Sequence, residues 1–246
     1  MNYSPYYHLP FLLFFSFSFI FSVNAQDLSG SVLLEKSIQY HDPEGNWENF
    51  KEALHFTETR PNGKDRQTTI HLDNRKNNFH LDQIREGQRI ERIVENGKCT
   101  HRVNGSEMIS ADWQEKFRLN CDRSISMKNY YTYLWGMPMK LKDPGTIIDP
   151  NITTTEFLGQ SVLSMKVTYE PEVGKDIWYF YFHPTTYALV GYRFYHDESA
   201  NDGEYIPLKE EISIQGIRFP KVRTWYVNKD DRLLGSDILE GSGKKK

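Results

Sequence analysis

Short runs of aromatic and β-branched residues, separated by turn dipeptides, dominate the chain from Trp47 onward. This texture is typical of an antiparallel meander, in which each run forms one strand. The segment from Lys98 to Val103 alternates most regularly, so its odd-numbered residues are expected on one face of the sheet and its even-numbered residues on the other. Asn96-Gly97 and Asn104-Gly105 flank this segment. Both dipeptides favour type I′ hairpin turns, because glycine tolerates a positive φ.

Helical spacing replaces this alternation in two places. Ser29 or Ser31 can cap a short helix that runs to about Tyr40. Apolar residues also recur at intervals of three and four between Ser110 and Pro138, which predicts two short helices. Ser110 would cap the first of these, and Gly136 followed by Pro138 would end the second. The pattern thus predicts one early helix and one helical insert between strands.

The order of these elements predicts a mainly β protein of the α+β class. About five strands precede the insert and about six or seven follow it, and a sheet of more than roughly ten strands tends to curl, split or wrap around another element. We therefore expect a large curved antiparallel sheet that forms a half-barrel closed by the short helices. The expected organisation is a single domain over residues 26–240, with the insert at about 110–138, and a flexible tail over residues 241–246. The strands predicted after the insert are about Thr153–Leu158, Ser161–Tyr169, Asp176–Phe182, Ala188–His196, Tyr205–Gln215, Ile217–Val227 and Leu233–Leu239.

The beginning of the chain predicts secretion. Phe11 to Val23 is an unbroken run of apolar and hydroxyl residues, it ends in the small-residue site Val23-Asn24-Ala25, and the first charged residue is Asp27. The run is shorter than the roughly 20 residues that a transmembrane helix needs. We therefore predict a signal peptide over residues 1–25, cleaved before Gln26, although its first ten residues lack the usual Lys or Arg. The mature chain would be secreted or periplasmic, with no later transmembrane segment.

The composition of the chain argues against a nucleic-acid partner. The 246 residues carry a formal net charge of -3, which provides no basic field of the kind that draws a protein onto nucleic acid. Cys99 and Cys121 can form one disulfide in an oxidising compartment, or they can stay two separate buried thiols. The sequence leaves both alternatives open, because it does not establish the distance between the two Cα atoms.

No set of catalytic or metal-binding residues is recognisable in the sequence. The eight histidines show neither His-x-His nor HExxH spacing, and the two cysteines form no Cys-x-x-Cys pair. A Gly-x-Ser-x-Gly turn and the phosphate-binding loops are also lacking. The acidic loop from His196 to Glu204 misses the calcium-loop spacing and is interpreted as a solvated hairpin loop. We therefore predict no catalytic residue, no metal and no cofactor.

Two aromatic clusters suggest a place for an apolar ligand. The run from Ile177 to Phe182 is apolar or aromatic at every position, so both sides of this strand should be covered. The segment from Tyr130 to Met139 combines aromatic rings with flexible methionines, which suit adaptable apolar surfaces. Core packing alone also explains both clusters. If a cavity lies between the sheet and the helices, its predicted ligand-binding residues are Tyr131, Leu134, Trp135, Trp178 and Phe180, with Ile177, Tyr179 and Tyr181 replacing the last two if the strand parity is reversed.

Several local features give the chain a family resemblance over most of residues 31–239. They are the early helix before a long first strand, the hairpin Glu95-Asn96-Gly97-Lys98, the strand and turn from Trp178 to Thr186 followed by Ala188-Leu189, and the segment Gln215-Gly216-Ile217-Arg218-Phe219-Pro220. In this order the chain resembles the outer-membrane lipoprotein carrier and receptor superfamily, and within it the secreted members of unknown function. The resemblance implies a Lol-type half-barrel with a hydrophobic cavity for acyl chains or another apolar molecule, and no covalent chemistry.

Three functions remain open at this stage. The first is a non-enzymatic extracytoplasmic protein that binds an apolar or lipid-like ligand, as in lipid or lipoprotein handling. The second is an envelope protein that contacts another protein, its cavity filled by its own side chains. The third is a hydrolase in which a histidine such as His183 or His101 is the base and its partners are distant in sequence.

Overall fold

The computed structural model describes residue 1 and residues 28–243. The predicted signal peptide, apart from Met1, lies outside the described residues, as do the last three residues of the predicted tail. Gly241 and Ser242, which the sequence assigned to the tail, extend the last strand and pair with His55 and Leu54. No helix in the described part of the chain is long and apolar enough to cross a membrane.

Within residues 28–243, three α-helices lie where the pattern places them. They are α1 (Gly30–His41), α2 (Ala111–Phe117) and α3 (Cys121–Gly136). Ser29 caps α1 as predicted, since its hydroxyl accepts a hydrogen bond from the amide of Val32. Ser110 stands at the N-cap of α2 but its side chain makes no capping bond there. The second helix of the insert is longer than predicted, with 16 residues.

Twelve strands form one antiparallel sheet in the described residues, five before the insert and seven after it. The sheet is curved and unclosed, so the predicted half-barrel is confirmed. Its spatial order is β5-β4-β3-β2-β1-β12-β11-β10-β9-β8-β7-β6, which joins the first strand to the last in the middle of the sheet. The strands are β1 (Lys51–Thr59), β2 (Arg66–Asp73), β3 (Asn78–Arg85), β4 (Gln88–Glu95), β5 (Lys98–Val103), β6 (Thr146–Phe157), β7 (Gln160–Tyr169), β8 (Ile177–Phe182), β9 (Leu189–Tyr195), β10 (Glu204–Ile214), β11 (Ile217–Val227) and β12 (Leu233–Ser242).

Two-residue turns set the register of several hairpins. Asn96 and Gly97 both have positive φ, as a type I′ turn between β4 and β5 requires. Asn104 and Gly105 also have positive φ, but this turn leads only to a single bridge between Val103 and Ser106, after which the chain enters the insert. The predicted turn therefore exists, and the second strand of its hairpin does not.

The helix α3 lies against the concave face and contributes residues to the two largest clusters of the core. Tyr131 and Trp135 pack against strands β1 to β4, β11 and β12, whereas Leu134 packs against strands β7 to β10 and α1. The helix α1 closes the second half, and it approaches β6 so nearly that a Cβ on Gly30 would lie 2.1 Å from the carbonyl oxygen of Asp149. The helices therefore fill the half-barrel from its concave side.

A disulfide joins Cys99 of β5 to Cys121, the first residue of α3, with the Cα atoms 5.4 Å apart. This resolves the two alternatives that the sequence left open. The bond attaches the start of α3 to one edge strand of the sheet. His101, two residues further along the same face of β5, contacts the hydroxyl of Ser124 one turn into the helix.

Candidate functional site

Three of the five residues predicted to contact a ligand lie on α3. Tyr131, Leu134 and Trp135 are all buried, and the side chain of Trp135 has no exposed surface. The other two, Trp178 and Phe180, lie on β8 and pack in the same apolar cluster as Leu134. Leu134, Trp135 and Phe180 contribute to the packed interior, and Trp178 is only partly buried at its edge. Tyr131 also lines an open cleft. Their role in ligand binding stays a prediction.

The strand β8 is covered on both sides, as its sequence predicts. Phe180 and Phe182 face the concave interior, so the strand parity is the one first expected. Tyr179 and Tyr181 face the convex side, where the ring of Tyr181 stacks on that of Phe157 at 4.3 Å between centroids. Tyr179 and Tyr181 thus belong to a second aromatic cluster, which covers the convex side of β8.

A cleft of about 570 Å³ opens at one end of the concave face, and we call it the mouth cleft. Its walls are the first half of α3 and the ends of two hairpins, β1–β2 and β11–β12. Arg123, Met127 and Tyr130 reach it from one face of α3, because residues spaced by three and four lie side by side on a helix. The residues that line the mouth cleft are Glu58, Thr59, Arg60, Arg66, Arg123, Ser126, Met127, Tyr130, Tyr131, Glu204, Trp225, Leu234, Gly235, Ser236 and Asp237.

A row of charged residues crosses the sheet below this cleft. Glu58 of β1 is opposite Asp237 of β12, and Asp237 is opposite Arg223 of β11. All three are buried. Strand alternation alone would put an apolar side chain at each of these inward positions, as it does further along the same strands at Phe56 and Leu239. The row therefore marks the point where the apolar lining of the half-barrel ends.

Glu58 is fully partnered in this row. One carboxylate oxygen accepts a hydrogen bond from the hydroxyl of Tyr131 at 2.8 Å and another from the amide of Gln83 at 3.3 Å. The other oxygen lies 2.8 Å from a guanidinium nitrogen of Arg66 and 3.7 Å from one of Arg60. These contacts fix Tyr131 on the floor of the mouth cleft.

Arg223 is buried with only part of its hydrogen-bonding capacity used. It donates one hydrogen bond to the carbonyl oxygen of Leu134 at 3.1 Å, and its guanidinium lies 4.0 Å from the ring centroid of Trp135. Two of its nitrogens and the nearby hydroxyl of Tyr192 have no partner. Burial lowers the pKa of this guanidinium, because the charged form is desolvated.

Asp237 has no hydrogen bond and no ion pair within the part of the chain that the structure describes, although only 7% of it is exposed. Desolvation, and to a smaller extent the neighbouring Glu58, raises the pKa of its carboxyl to about 7, although the charge of Arg223 acts in the opposite direction. Its carboxylate borders the mouth cleft directly. A buried, unpartnered acid at the base of an open cleft is the feature of this site that its own packing does not explain.

A larger cavity of about 860 Å³ lies on the convex face, over strands β1 to β3. Three histidines, His55, His71 and His80, belong to its lining, and the rings of His71 and His80 stack with centroids 5.0 Å apart. Among the described residues, no group of three potential metal ligands is arranged to hold an ion. We regard the mouth cleft as the better candidate, because it combines apolar, aromatic and buried charged groups at the interior of the fold.

The histidines considered as catalytic bases are engaged in local structure. The Nδ1 atom of His183 accepts hydrogen bonds from the amides of Thr185 and Thr186, both at 3.2 Å. His101 lies 2.8 Å from the hydroxyl of Ser124, but this serine is fully buried and its hydroxyl donates to the carbonyl of Asn120. A substrate has no path to this hydroxyl in the structure.

Comparison with solved structures identifies the fold class as the LolA-type half-barrel. A LolA superfamily protein from Nitrosomonas europaea is similar over 89% of this chain and 94% of its own, with a TM-score of 0.50 and 9% identity. A putative outer membrane lipoprotein-sorting protein domain from Vibrio parahaemolyticus is similar over 85% of this chain and 92% of its own, with a TM-score of 0.50 and 10% identity. At these identities the likeness establishes the fold.

The sequence itself matches a family described as a family of unknown function, DUF6503, over residues 10–240, and the chain belongs to this family. No curated protein matches the chain. The resemblance to the lipoprotein carrier and receptor superfamily, drawn from the sequence, is thus confirmed for the fold.

Proposed function

We propose that this protein is a non-enzymatic, extracytoplasmic binding protein for an apolar or lipid-like ligand, and that the ligand enters at the mouth cleft. The observation that carries the proposal is the cleft itself, which combines Met127, Leu234 and Trp225 with polar groups at the interior end of a LolA-type half-barrel. Such a lining suits an amphipathic molecule, because its apolar part can be buried at about 25 cal/mol per Å² while its polar part is hydrogen-bonded.

A volume of about 570 Å³ is within the range of small-molecule sites. The cleft has room for part of an acyl chain only, because the side chains of α3 occupy the remaining interior. A longer chain would require α3 to move away from the sheet. The proposal therefore includes binding of a single-chain amphiphile without any rearrangement of the buried clusters.

The filled interior also favours a second candidate, an envelope protein that contacts another protein. Trp135 and Phe180 are fully buried, so packing within the chain already uses the surface that the sequence assigned to a ligand. Under this alternative the mouth cleft would receive no small amphiphile, and a partner protein would account for the function. Binding of a defined amphiphile distinguishes the two candidates.

The test is native mass spectrometry of the mature chain with lysophospholipids of one acyl length. We expect a one-to-one complex, which Met127→Glu abolishes because it introduces a charge into the apolar part of the cleft. Ile125→Glu is the matched control, since Ile125 is on the same helix, is 39% exposed and lies outside the cleft. Equal loss of binding in both variants, or no complex with the unmodified chain, would favour the interaction protein.

A further inference from the structure

The floor of the mouth cleft carries two carboxylates without partners. Asp237 is more than nine-tenths buried, and Glu204 is half-buried on the neighbouring β10 side of the cleft. Neither carboxylate has a hydrogen bond or an ion pair within 4 Å among residues 28–243. Removing an ionised carboxylate from water without a compensating partner is costly. The two carboxylates therefore need either to be protonated or to be neutralised by a bound cation.

Two aromatic rings border the same space. Tyr130 on α3 and Trp225 on β11 both line the cleft, and Tyr130 is 51% exposed, so its ring is accessible from solvent. The faces of tyrosine and tryptophan rings attract cations, above all alkylated ammonium groups that bring an apolar surface with their charge. Aromatic faces next to unpaired carboxylates suit such a group better than they suit a phosphate or a carboxylate.

The arginines of the cleft do not neutralise this floor. Arg60 and Arg66 both lie within 4 Å of Glu58, which leaves Asp237 and Glu204 unpaired. The third, Arg123, is exposed at the rim, where water and salt screen its charge. Among the charged residues that line the cleft, the arginines are exposed or paired and the two carboxylates are unpaired, whereas the buried Arg223 opposite Asp237 does not belong to the lining.

We propose that the mouth cleft binds the positively charged head of its ligand, an alkylammonium group. This inference rests on the proposed function and specifies the chemistry of the ligand. The head would be held by electrostatic attraction and cation–π contact, with its apolar chain directed toward Met127 and Leu234. The groups that contact the head are Asp237, Glu204, Tyr130 and Trp225.

The affinity for the cationic head group should fall at acidic pH. Burial raises the pKa of Asp237 to about 7, so the free protein carries a neutral carboxyl below that pH and an anionic one above it. Burial raises the pKa of Glu204 as well. A cation favours the ionised forms, and its affinity therefore rises as the pH passes through 7. The other titratable or charged groups that surround Asp237 are Glu58, Arg60, Arg66, Arg123, Tyr130, Tyr131, Tyr192 and Arg223.

The experiment compares three amphiphiles that share a dodecyl chain, by calorimetric titration of the mature chain below their micelle-forming concentrations. They are dodecyltrimethylammonium, neutral dodecyl maltoside and anionic laurate. We expect the ammonium compound to bind about tenfold more tightly than the neutral one at about pH 8, and to lose this advantage near pH 5. Asp237→Asn should remove the preference, so that the ammonium and the neutral compound bind this variant with equal affinity. Glu172→Gln is the matched control, because Glu172 is an exposed acid outside the cleft.

Three negative results are possible, and they do not all have the same meaning. Equal affinity for the ammonium and neutral compounds, with no change in Asp237→Asn, would overturn the cationic head while the proposed amphiphile site stands. Tighter binding of laurate would overturn it in the same way and assign the head group to the arginines. Failure of all three compounds to bind would overturn both the inference and the proposed function. The thermal unfolding of each variant, measured alongside, identifies any loss that comes from misfolding.

Discussion

The two halves of α3 meet the same sheet in different ways. Toward its C-terminal end, Leu134 and Trp135 enter two apolar clusters and fill the half-barrel. Toward its start, Met127 and Tyr130 share a cleft with Glu58 and Asp237, and this cleft stays open between helix and strands. The difference indicates that the polarity of the strand residues opposite α3 decides whether the helix packs closely against the sheet. Apolar positions allow the helix to pack down on them, whereas buried charges need room for water or a ligand.

The largest expected effect tests the filled half. Trp135→Ala should lower the free energy of unfolding by about 3–5 kcal/mol, because it removes a fully buried ring and leaves a cavity. Urea unfolding followed by circular dichroism measures the change. Ile125→Ala on the exposed side of the same helix is the control and should change stability by less than about 0.5 kcal/mol. A loss of similar size in both variants would mean that helix propensity, and not packing, holds α3 in place.

A smaller effect is expected at the start of α3, where packing is thinner and a disulfide attaches the helix to β5. Replacing Cys99 and Cys121 together by serine should cost about 3 kcal/mol, as closing a loop with a sequence separation of 22 predicts. The measurement is urea unfolding of the double variant against the oxidised parent. The reduced parent is the control, and it should match the double variant. An unchanged midpoint would show that contacts such as His101 with Ser124 suffice to hold this end.

The smallest effect tests the open half and has the opposite sign. Asp237→Asn should raise the free energy of unfolding by about 1–3 kcal/mol at about pH 8. The folded chain raises the pKa of this carboxyl to about 7, so ionising it opposes folding as the pH rises from the unfolded pKa through 7. Near pH 3 the carboxyl is protonated in both states and the variant should match the parent.

Thermal unfolding over this pH range measures the effect, with Glu172→Gln as the control that should show no such dependence. A variant that is less stable than the parent at about pH 8 would contradict the prediction. Asp237 would then be an ionised partner of Arg223 and not an unpaired acid.

The fold could be predicted largely from local signals. Alternation in β5, the type I′ dipeptide Asn96-Gly97 and the helical spacing after Ser110 are short-range patterns, and each produced the expected element. The boundaries were less predictable. The strand β6 begins seven residues before the predicted start at Thr153, because its first half is irregular around Pro150 and is recognisable only from its pairing with β7.

The candidate site was predictable only in part. Aromatic content led to Tyr131, which does border the mouth cleft, to three residues that form the packed interior, and to Trp178, which is only partly buried. Glu58, Asp237 and Arg223 were missed, because each is a single charged residue in a strand whose inward face is known only once the register is set. An inward charge that breaks an apolar alternation is the signal that could have found them.

The sequence by itself determined the class of this protein: a strand-rich chain with one helical insert, turns at defined dipeptides, and aromatic residues on both faces of β8. These properties follow from backbone preferences and from the two-residue period of a strand, which act over a few residues. Only the tertiary structure decided that the interior is filled, that Cys99 meets Cys121, and that three charges from β1, β12 and β11 lie in one row. Those outcomes depend on how separate strands and helices come together or on whether volumes match across the core, and no local pattern encodes either.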